Sequence, residues 1–320
     1  SGRGVSGLLM GFALVTISVA LLFTWRDLIS AVPLAFSSEQ KAFLKECLLY
    51  GLPILATLMV NFFLGNSDRF LLKYIRQNDA TVGAYAAMCR LLEQPINMVL
   101  QTLMVAVFPA ITTVYETRGR EATEGLLRKL TRQFLLFCVP LCAMLSVLGH
   151  HVMYTLTESE YRDAYRVTPW IVTAALTYGL SYYASFGLHL AKRTGTLLVI
   201  TILSVVVNLS VNGLAIGPFG YVGCGIARLT ANAVLAALLA IVSRRYLRWS
   251  FPWASLIRIV IASAVAAVPV FLLQEHLPPD LLTLAFLCSV FGAIYAAVSL
   301  VTGEVHWRDV LVLFIKRPLA

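Results

Sequence analysis

One apolar segment of this sequence carries an arginine, a glutamate and an asparagine that share one face of a helix. The segment reads YAAMCRLLEQPINMVLQ over residues 85–101, with Arg90 and Glu93 three positions apart and Asn97 four positions later. A charged side chain at the centre of a membrane costs at least ~2.5–3.5 kcal/mol unless it faces a partner, a protein interior or water. Two interpretations stay open: Arg90 and Glu93 neutralise each other as a structural clamp, or Arg90 faces a polar cavity.

A second arginine, Arg228, occurs in another apolar segment at nearly the same predicted depth as Arg90. Asn208 and Asn212 share a helix face at i and i+4, and Asn61 lies toward the end of an earlier apolar segment. If these groups converge, they form a cationic cavity that suits phosphate, because arginine presents a bidentate fork. The amides fit equally well as partners in hydrogen bonds between helices.

Asp68 and Arg69 follow the same early segment and predict either a weak outer gate or a helix end among lipid headgroups. The sequence has no nucleophile elbow, no HExxH motif and no acidic cluster. We therefore predict no catalytic residues, no metal site and no cofactor, and transport is favoured over catalysis. A coupling ion, H⁺ or Na⁺, remains open.

The composition predicts an integral membrane protein that must position these residues on helices. Apolar residues make up 59% of the 320, charged residues 13%, and the mean hydropathy is +0.81. Since a helix spans the hydrocarbon with ~20 apolar residues, we expect an all-α, polytopic membrane bundle of about nine transmembrane helices. The predicted spans are 7–25, 47–65, 82–110, 133–150, 167–190, 196–216, 221–243, 254–273 and 281–301.

The net charge of +9 is explained by orientation in the membrane. Sixteen of the 25 Lys and Arg residues fall on one side of these spans and six on the other. The positive-inside rule makes the richer side cytoplasmic, and it places the C-terminus there. Nucleic-acid binding is not predicted, because no basic stripe with stacking aromatic residues occurs.

Three stretches resemble the polysaccharide flippases of the O-antigen and teichoic-acid type, in the multidrug/oligosaccharidyl-lipid/polysaccharide exporter superfamily. They are NSDRFLLKYIRQNDATVGAYAAMCRLLEQP (66–95), FPAITTVYE (108–116) and the asparagine-rich segment with its following Gly-Tyr-Val-Gly turn at 188–231. Each motif is weak alone, and the order and spacing of several carries the resemblance.

The resemblance implies a transporter that moves a polyprenyl-diphosphate-linked oligosaccharide from the inner to the outer leaflet by alternating access. Residues 1–26 would be the last helix of a truncated first lobe, 37–46 a cytoplasmic surface helix, and 47–243 the six-helix second lobe. Residues 254–301 would be two extra C-terminal helices, and 302–320 a cytoplasmic tail. Five helices of the first lobe would be absent from this chain.

Substrate-binding residues would map to Arg90 and Arg228, with Glu93 orienting Arg90 or taking part in ion coupling. Expected partners are the lipid-linked glycan, membrane lipids and glycan polymerase or assembly proteins, in a bacterial or archaeal cytoplasmic membrane. The alternatives are a peptidoglycan lipid-precursor flippase and a cation-coupled multidrug exporter of the same superfamily. A membrane glycan polymerase or ligase is less favoured, because the outer loops are too short.

Overall fold

A computed structural model of the protein describes residues 4–31, 38–77, 79–157 and 159–304. All regular structure in these residues is helical, which confirms the predicted all-α membrane bundle. A 3-10 helix, Ser159–Val167, precedes α4. The helices are α1 (Gly4–Ala31), α2 (Ser38–Arg76), α3 (Asp79–Leu156), α4 (Thr168–Leu190), α5 (Thr194–Phe219), α6 (Tyr221–Ser243), α7 (Trp253–Gln274) and α8 (Leu281–Val301).

Helix α3 consists of two arms that meet at Gly119. This glycine has φ 76° and ψ −169°, a backbone conformation that residues with a Cβ rarely adopt. The predicted spans 82–110 and 133–150 lie one in each arm. The charged stretch 116–133 between these spans contains the break and continues the two arms.

Six of the described helices are long and apolar enough to cross a membrane, namely α2, α3, α5, α6, α7 and α8. Helix α1 contains a shorter apolar stretch, Met10–Trp25. Helix α4 has the length of a span but is less apolar than the six. The protein is thus a multi-pass membrane protein.

The chain divides into two compact units, Ser1–Leu52 and Pro53–Ala320. The first unit contains α1, on which Phe12, Leu22 and Phe23 are at least 72% exposed. Helix α2 includes residues 38–46 of the predicted surface helix and those of the second span, without a break in secondary structure. The predicted tail lies outside the described residues from position 305 onward.

The core of the second unit lies where α4 packs against α3. Phe134 and Tyr183 are fully buried, with ring centroids 5.3 Å apart. A Cβ on Gly179 would lie 2.3 Å from the Cζ atom of Phe134, so the glycine allows this close approach. The same packing fixes the rotation of α4 and thereby the direction of its other tyrosines.

Helices α7 and α8 form a smaller cluster with the second arm of α3. Leu148, Val270 and Phe291 are buried in it. Just beyond the end of α8, the side chain of Glu304 is 2% exposed and accepts a 2.5 Å hydrogen bond from Arg132 Nε on α3. This ion pair ties the end of α8 to the second arm of α3.

Candidate functional site

The guanidinium of Arg228 joins three helices in the interior of the second unit. Its Nε donates to Asp68 Oδ2 at 2.8 Å, and its Nη2 donates to the carbonyl oxygen of Gly65 at 2.8 Å, both on α2. Its Nη1 donates to Glu93 Oε1 on α3. The side chain of Arg228 is only 7% exposed. A buried arginine of this kind is tolerable because carboxylates and a carbonyl replace its water.

Asp68 is the most enclosed member of this network, with a side chain that is 0% exposed. Besides the bond from Arg228, it accepts one from Tyr85 Oη at 3.0 Å and one from Asn212 Nδ2 at 2.8 Å. Three donors, one each on α3, α5 and α6, therefore satisfy its two oxygens. Such saturation is what allows a carboxylate to be fully buried.

The network extends along α5 through the two asparagines that the sequence placed on one face. Asn212 Nδ2 also donates to Asn208 Oδ1 at 3.0 Å, and Ser67 Oγ donates to the same oxygen at 2.8 Å. Asn208 and Asn212 are both 0% exposed. Both amides are thus engaged in hydrogen bonds between α5 and α2, which is one of the two interpretations left open by the sequence.

A cavity of about 170 Å³ opens beside the network. Glu93 and Arg228 line it, and the side chain of Glu93 is 20% exposed. Asn232 donates to the carbonyl oxygen of Ala174 at 2.9 Å and so ties α6 to α4 at the cavity wall. The other lining residues are Asn61, Leu64, Gly65, Asn97, Ala175 and Tyr178.

The charges of the network do not cancel. One guanidinium faces two carboxylates, Asp68 and Glu93, so the group carries a formal charge of −1 when both are ionised. Asp68 is closed off and has three donors, whereas Glu93 faces the cavity. Glu93 is therefore the carboxylate of the network that the cavity reaches.

Arg90 lies apart from this network. It is exposed, it does not line the cavity, and no ion pair to it occurs among the described residues. The clamp between Arg90 and Glu93, one of the two interpretations of the sequence, is wrong, because Glu93 pairs with Arg228 on α6. The predicted convergence of Arg90 and Arg228 on one cavity is also not observed. A buried guanidinium arriving from another helix binds the carboxylate more strongly than a solvated neighbour one turn away.

Asp68 and Arg69 are not at a helix end, which corrects that prediction. Helix α2 continues to Arg76, whose Nη2 donates to the carbonyl oxygens of Ile216 and Gly217 at 3.2 and 2.7 Å. Asp68 is the centre of the buried network, and Arg69 is half-buried with its Nε unpartnered.

Sequence reasoning missed Tyr85, Ser67 and Tyr178. A signal for the first was present: Tyr85, Cys89 and Glu93 are spaced four apart, so they share the helix face that Arg228 contacts. Cys89 Sγ lies 3.8 Å from Arg228 Nη1, which confirms that shared face. No comparable signal marks Ser67 or Tyr178.

Comparison with known proteins gives two findings. Residues 4–114 match the family described as polysaccharide biosynthesis protein. The structure is similar to that of the lipid II flippase MurJ in an inward closed conformation, with a TM-score of 0.70 and 14% sequence identity. The alignment covers 91% of this chain and 60% of that chain, so this chain spans about three fifths of MurJ's length. No curated protein matches.

The family match and the similarity of fold both agree with the resemblance drawn from the sequence. The family match rests on sequence in the first third of the chain. The similarity to MurJ, at 14% identity, is one of fold.

Proposed function

We propose that this protein is a flippase that moves a polyprenyl-diphosphate-linked oligosaccharide from the inner to the outer leaflet by alternating access. The match to the polysaccharide biosynthesis family supports the glycan, and the fold shared with a lipid II flippase supports transport. Both comparisons favour a transporter over an enzyme.

The observation that carries the proposal is a polar stripe on the first arm of α3. Arg90, Gln94 and Gln101 are exposed, and Asn97 is half-buried at the edge of the cavity. Their spacing of four, three and four residues puts them on one face over about 16 Å, at 1.5 Å per residue. Lipid tails cannot satisfy such groups, so this face of a membrane-spanning helix is turned toward water or a polar ligand.

Within this stripe, Arg90 is the residue suited to bind the diphosphate. Its guanidinium has no ion-pair partner among the described residues, so its five N–H donors are free for phosphate oxygens. Arg228 differs, because its donors already serve Asp68, Glu93 and Gly65. We therefore assign the diphosphate contact to Arg90 and the fixation of the helices to Arg228.

Glu93 is the residue suited to ion coupling. It carries the excess negative charge of the network and faces the cavity, so protonation or Na⁺ binding there would neutralise the group. Neutralisation would also weaken the bond to Arg228 and loosen α3 from α6. Coupling of this kind requires a two-state element whose equilibrium the ion shifts.

A peptidoglycan lipid-precursor flippase is the second candidate, favoured by the fold shared with MurJ. Its substrate would also reach the stripe with a diphosphate, so Arg90 would have the same role. Under either candidate we propose a bacterial or archaeal cytoplasmic membrane, with the C-terminus in the cytoplasm. Contact with glycan polymerase or assembly proteins stays a prediction.

The experiment is a flipping assay in vesicles that contain the purified protein. The substrates are fluorescent undecaprenyl diphosphates that carry N-acetylglucosamine alone or the peptidoglycan disaccharide pentapeptide. We expect Arg90→Gln to abolish flipping while Arg120→Gln, a matched change at an exposed arginine, preserves it. Preference for the first or second substrate separates the two candidates. Normal flipping by Arg90→Gln would contradict the assignment of the diphosphate site.

A further inference from the structure

A second cavity, of about 110 Å³, adjoins the first. Asn61 and Tyr178 line both cavities, so the two are neighbours, and the second lies between α2, α4, α5 and α6. The apolar lining consists of Ile54, Leu58, Leu197, Leu235 and Leu239. The polar lining consists of Thr57, Asn61, Tyr178, Ser181, Tyr182, Ser185, His189 and Thr201. No carboxylate, Lys or Arg lines it, so a neutral ligand suits it better than an ion.

The serine and threonine hydroxyls of this cavity each donate a hydrogen bond to a backbone carbonyl oxygen of their own helix. Ser181 Oγ donates to Tyr178 O at 2.6 Å and Ser185 Oγ to Tyr182 O at 2.7 Å. Thr57 Oγ1 donates to Pro53 O at 2.7 Å and Thr201 Oγ1 to Leu197 O at 2.9 Å. A hydroxyl oxygen that donates still has two lone pairs. These four groups therefore present acceptors to the cavity.

The amide of Asn61, the imidazole of His189 and the tyrosine pair add further acceptors and donors. Asn61 Oδ1 is buried and has no hydrogen-bond partner, which leaves an acceptor at the junction of the two cavities. The hydroxyls of Tyr178 and Tyr182 are 3.2 Å apart, so one donates to the other and a single O–H remains free. A ligand that fits must offer several O–H donors and at least one acceptor.

We propose that this second cavity binds a glycosyl unit of the lipid-linked substrate whose diphosphate contacts Arg90. The inference rests on the proposed flippase function. Each sugar hydroxyl both donates and accepts, so it satisfies Asn61 and the tyrosine pair together. The rings of Tyr178 and Tyr182 provide apolar surface for the C–H face of a pyranose. The cavity thus selects for the glycan, whereas Arg90 selects for the diphosphate.

The test compares two lipids that differ only in the sugar, undecaprenyl diphosphate and undecaprenyl-diphosphate N-acetylglucosamine. Dissociation constants are measured by native mass spectrometry on the full chain. The variants are Asn61→Leu and Tyr182→Phe. Asn66→Leu is the matched control, because Asn66 lies on the same helix but lines neither cavity. Thermal midpoints establish that each variant is folded.

We expect Asn61→Leu and Tyr182→Phe to weaken binding of the glycosylated lipid about threefold to tenfold each, the effect of one lost hydrogen bond. Binding of the sugar-free lipid stays unchanged in both, and Asn66→Leu changes neither lipid.

Three other outcomes would overturn the inference in distinguishable ways. If both folded variants bind the glycosylated lipid like the wild type, the cavity contains only water. If both lipids weaken equally, the cavity contacts the shared diphosphate. If the wild type binds neither lipid better than phosphatidylglycerol, the proposed flippase function fails, and the glycan site fails with it.

Discussion

Arg228 and Arg90 occupy similar predicted depths in the membrane but opposite environments. Arg228 is 7% exposed and its guanidinium is shared among Asp68, Glu93 and Gly65. Arg90 is exposed on α3, next to Gln94, with no ion pair among the described residues. The same residue type therefore has two roles. At one site the guanidinium binds neighbouring helices together, and at the other it remains available to a ligand.

The difference shows that an intramembrane charge indicates function only when its partners are counted. A guanidinium with two carboxylates cannot also hold a diphosphate without displacing one of them, and the displaced carboxylate would remain buried without a countercharge. An exposed guanidinium has no such competitor. Loss of Arg228 should therefore act on stability, and loss of Arg90 on binding.

The largest effect is expected from Arg228→Met. This change leaves Asp68 and Glu93 without a countercharge in a buried site, at a cost of about 3–5 kcal/mol. That cost is a large part of the stability of an ordinary domain, so little folded protein should remain. The protein is heated in detergent, and size-exclusion chromatography then measures the fraction that remains monodisperse. A thermal midpoint equal to that of Arg90→Met would erase the distinction between the two arginines.

Arg90→Gln should leave the fold intact and weaken substrate binding. A hydrogen bond to a charged group contributes about 1.5–3 kcal/mol, so we expect the dissociation constant of undecaprenyl diphosphate to rise about tenfold to a hundredfold. The thermal midpoint should not change, because the side chain is exposed. Binding is measured by microscale thermophoresis, with Arg120→Gln as the control. A fall in stability without a change in affinity would reverse the roles assigned here.

Asn212→Ala tests a neutral member of the Arg228 network and should have a smaller effect. The change removes the donor at 2.8 Å from Asp68 Oδ1, but Asp68 keeps its bonds to Arg228 and Tyr85. We expect the free energy of unfolding to fall by about 1 kcal/mol, the smallest cost usual for an unsatisfied buried acceptor. Chemical denaturation in detergent measures it, with Asn66→Ala as the control. A loss as large as that of Arg228→Met would show that the network acts as one unit.

Asp280 provides the smallest effect and a contrast with the buried Asp68. It caps α8 by accepting a 2.6 Å hydrogen bond from the backbone N–H of Thr283. This bond lowers the pKa of Asp280 below its ordinary value of 3.8. Since the folded pKa is the lower one, the stabilisation is present above pH 3.8 and is lost as the pH falls through the folded value.

The wild type should therefore lose slightly more thermal stability than Asp280→Asn between pH 5 and pH 3. Asparagine still caps the helix but does not titrate there. Equal losses in the two proteins would mean that the cap contributes no pH dependence.

The helices were predictable because each must bury about 20 apolar residues in lipid. That requirement leaves a local pattern, and spans such as 196–216 and 221–243 agree with α5 and α6 within a few residues. The spans 82–110 and 133–150 were predicted as separate helices, and the structure extends both until they meet at Gly119. Local spacing likewise placed Asn208 and Asn212 correctly on one face.

The pairing of charges could not be predicted from spacing. Asp68 and Arg228 are 160 residues apart, so their contact follows from how α2 and α6 pack and leaves no local pattern. The i, i+3 rule linked Glu93 to Arg90, yet it describes isolated helices in water. In the protein a buried arginine competes for the same carboxylate. The tyrosine pair of α4 was missed for the same reason, since its surroundings come from three other helices.

The moderate apolarity of α4 has a consequence for biogenesis. Its hydroxyls, tyrosines and His189 line a cavity. Of the described helices α2 to α8, it is the one that is not apolar enough to count as a membrane span. A translocon that releases segments by hydrophobicity would retain such a helix until partners arrive. The close contact of Gly179 with Phe134 and the bond from Asn232 to Ala174 supply those partners from α3 and α6. Membrane integration of α4 should thus be completed only after α6 has been synthesised.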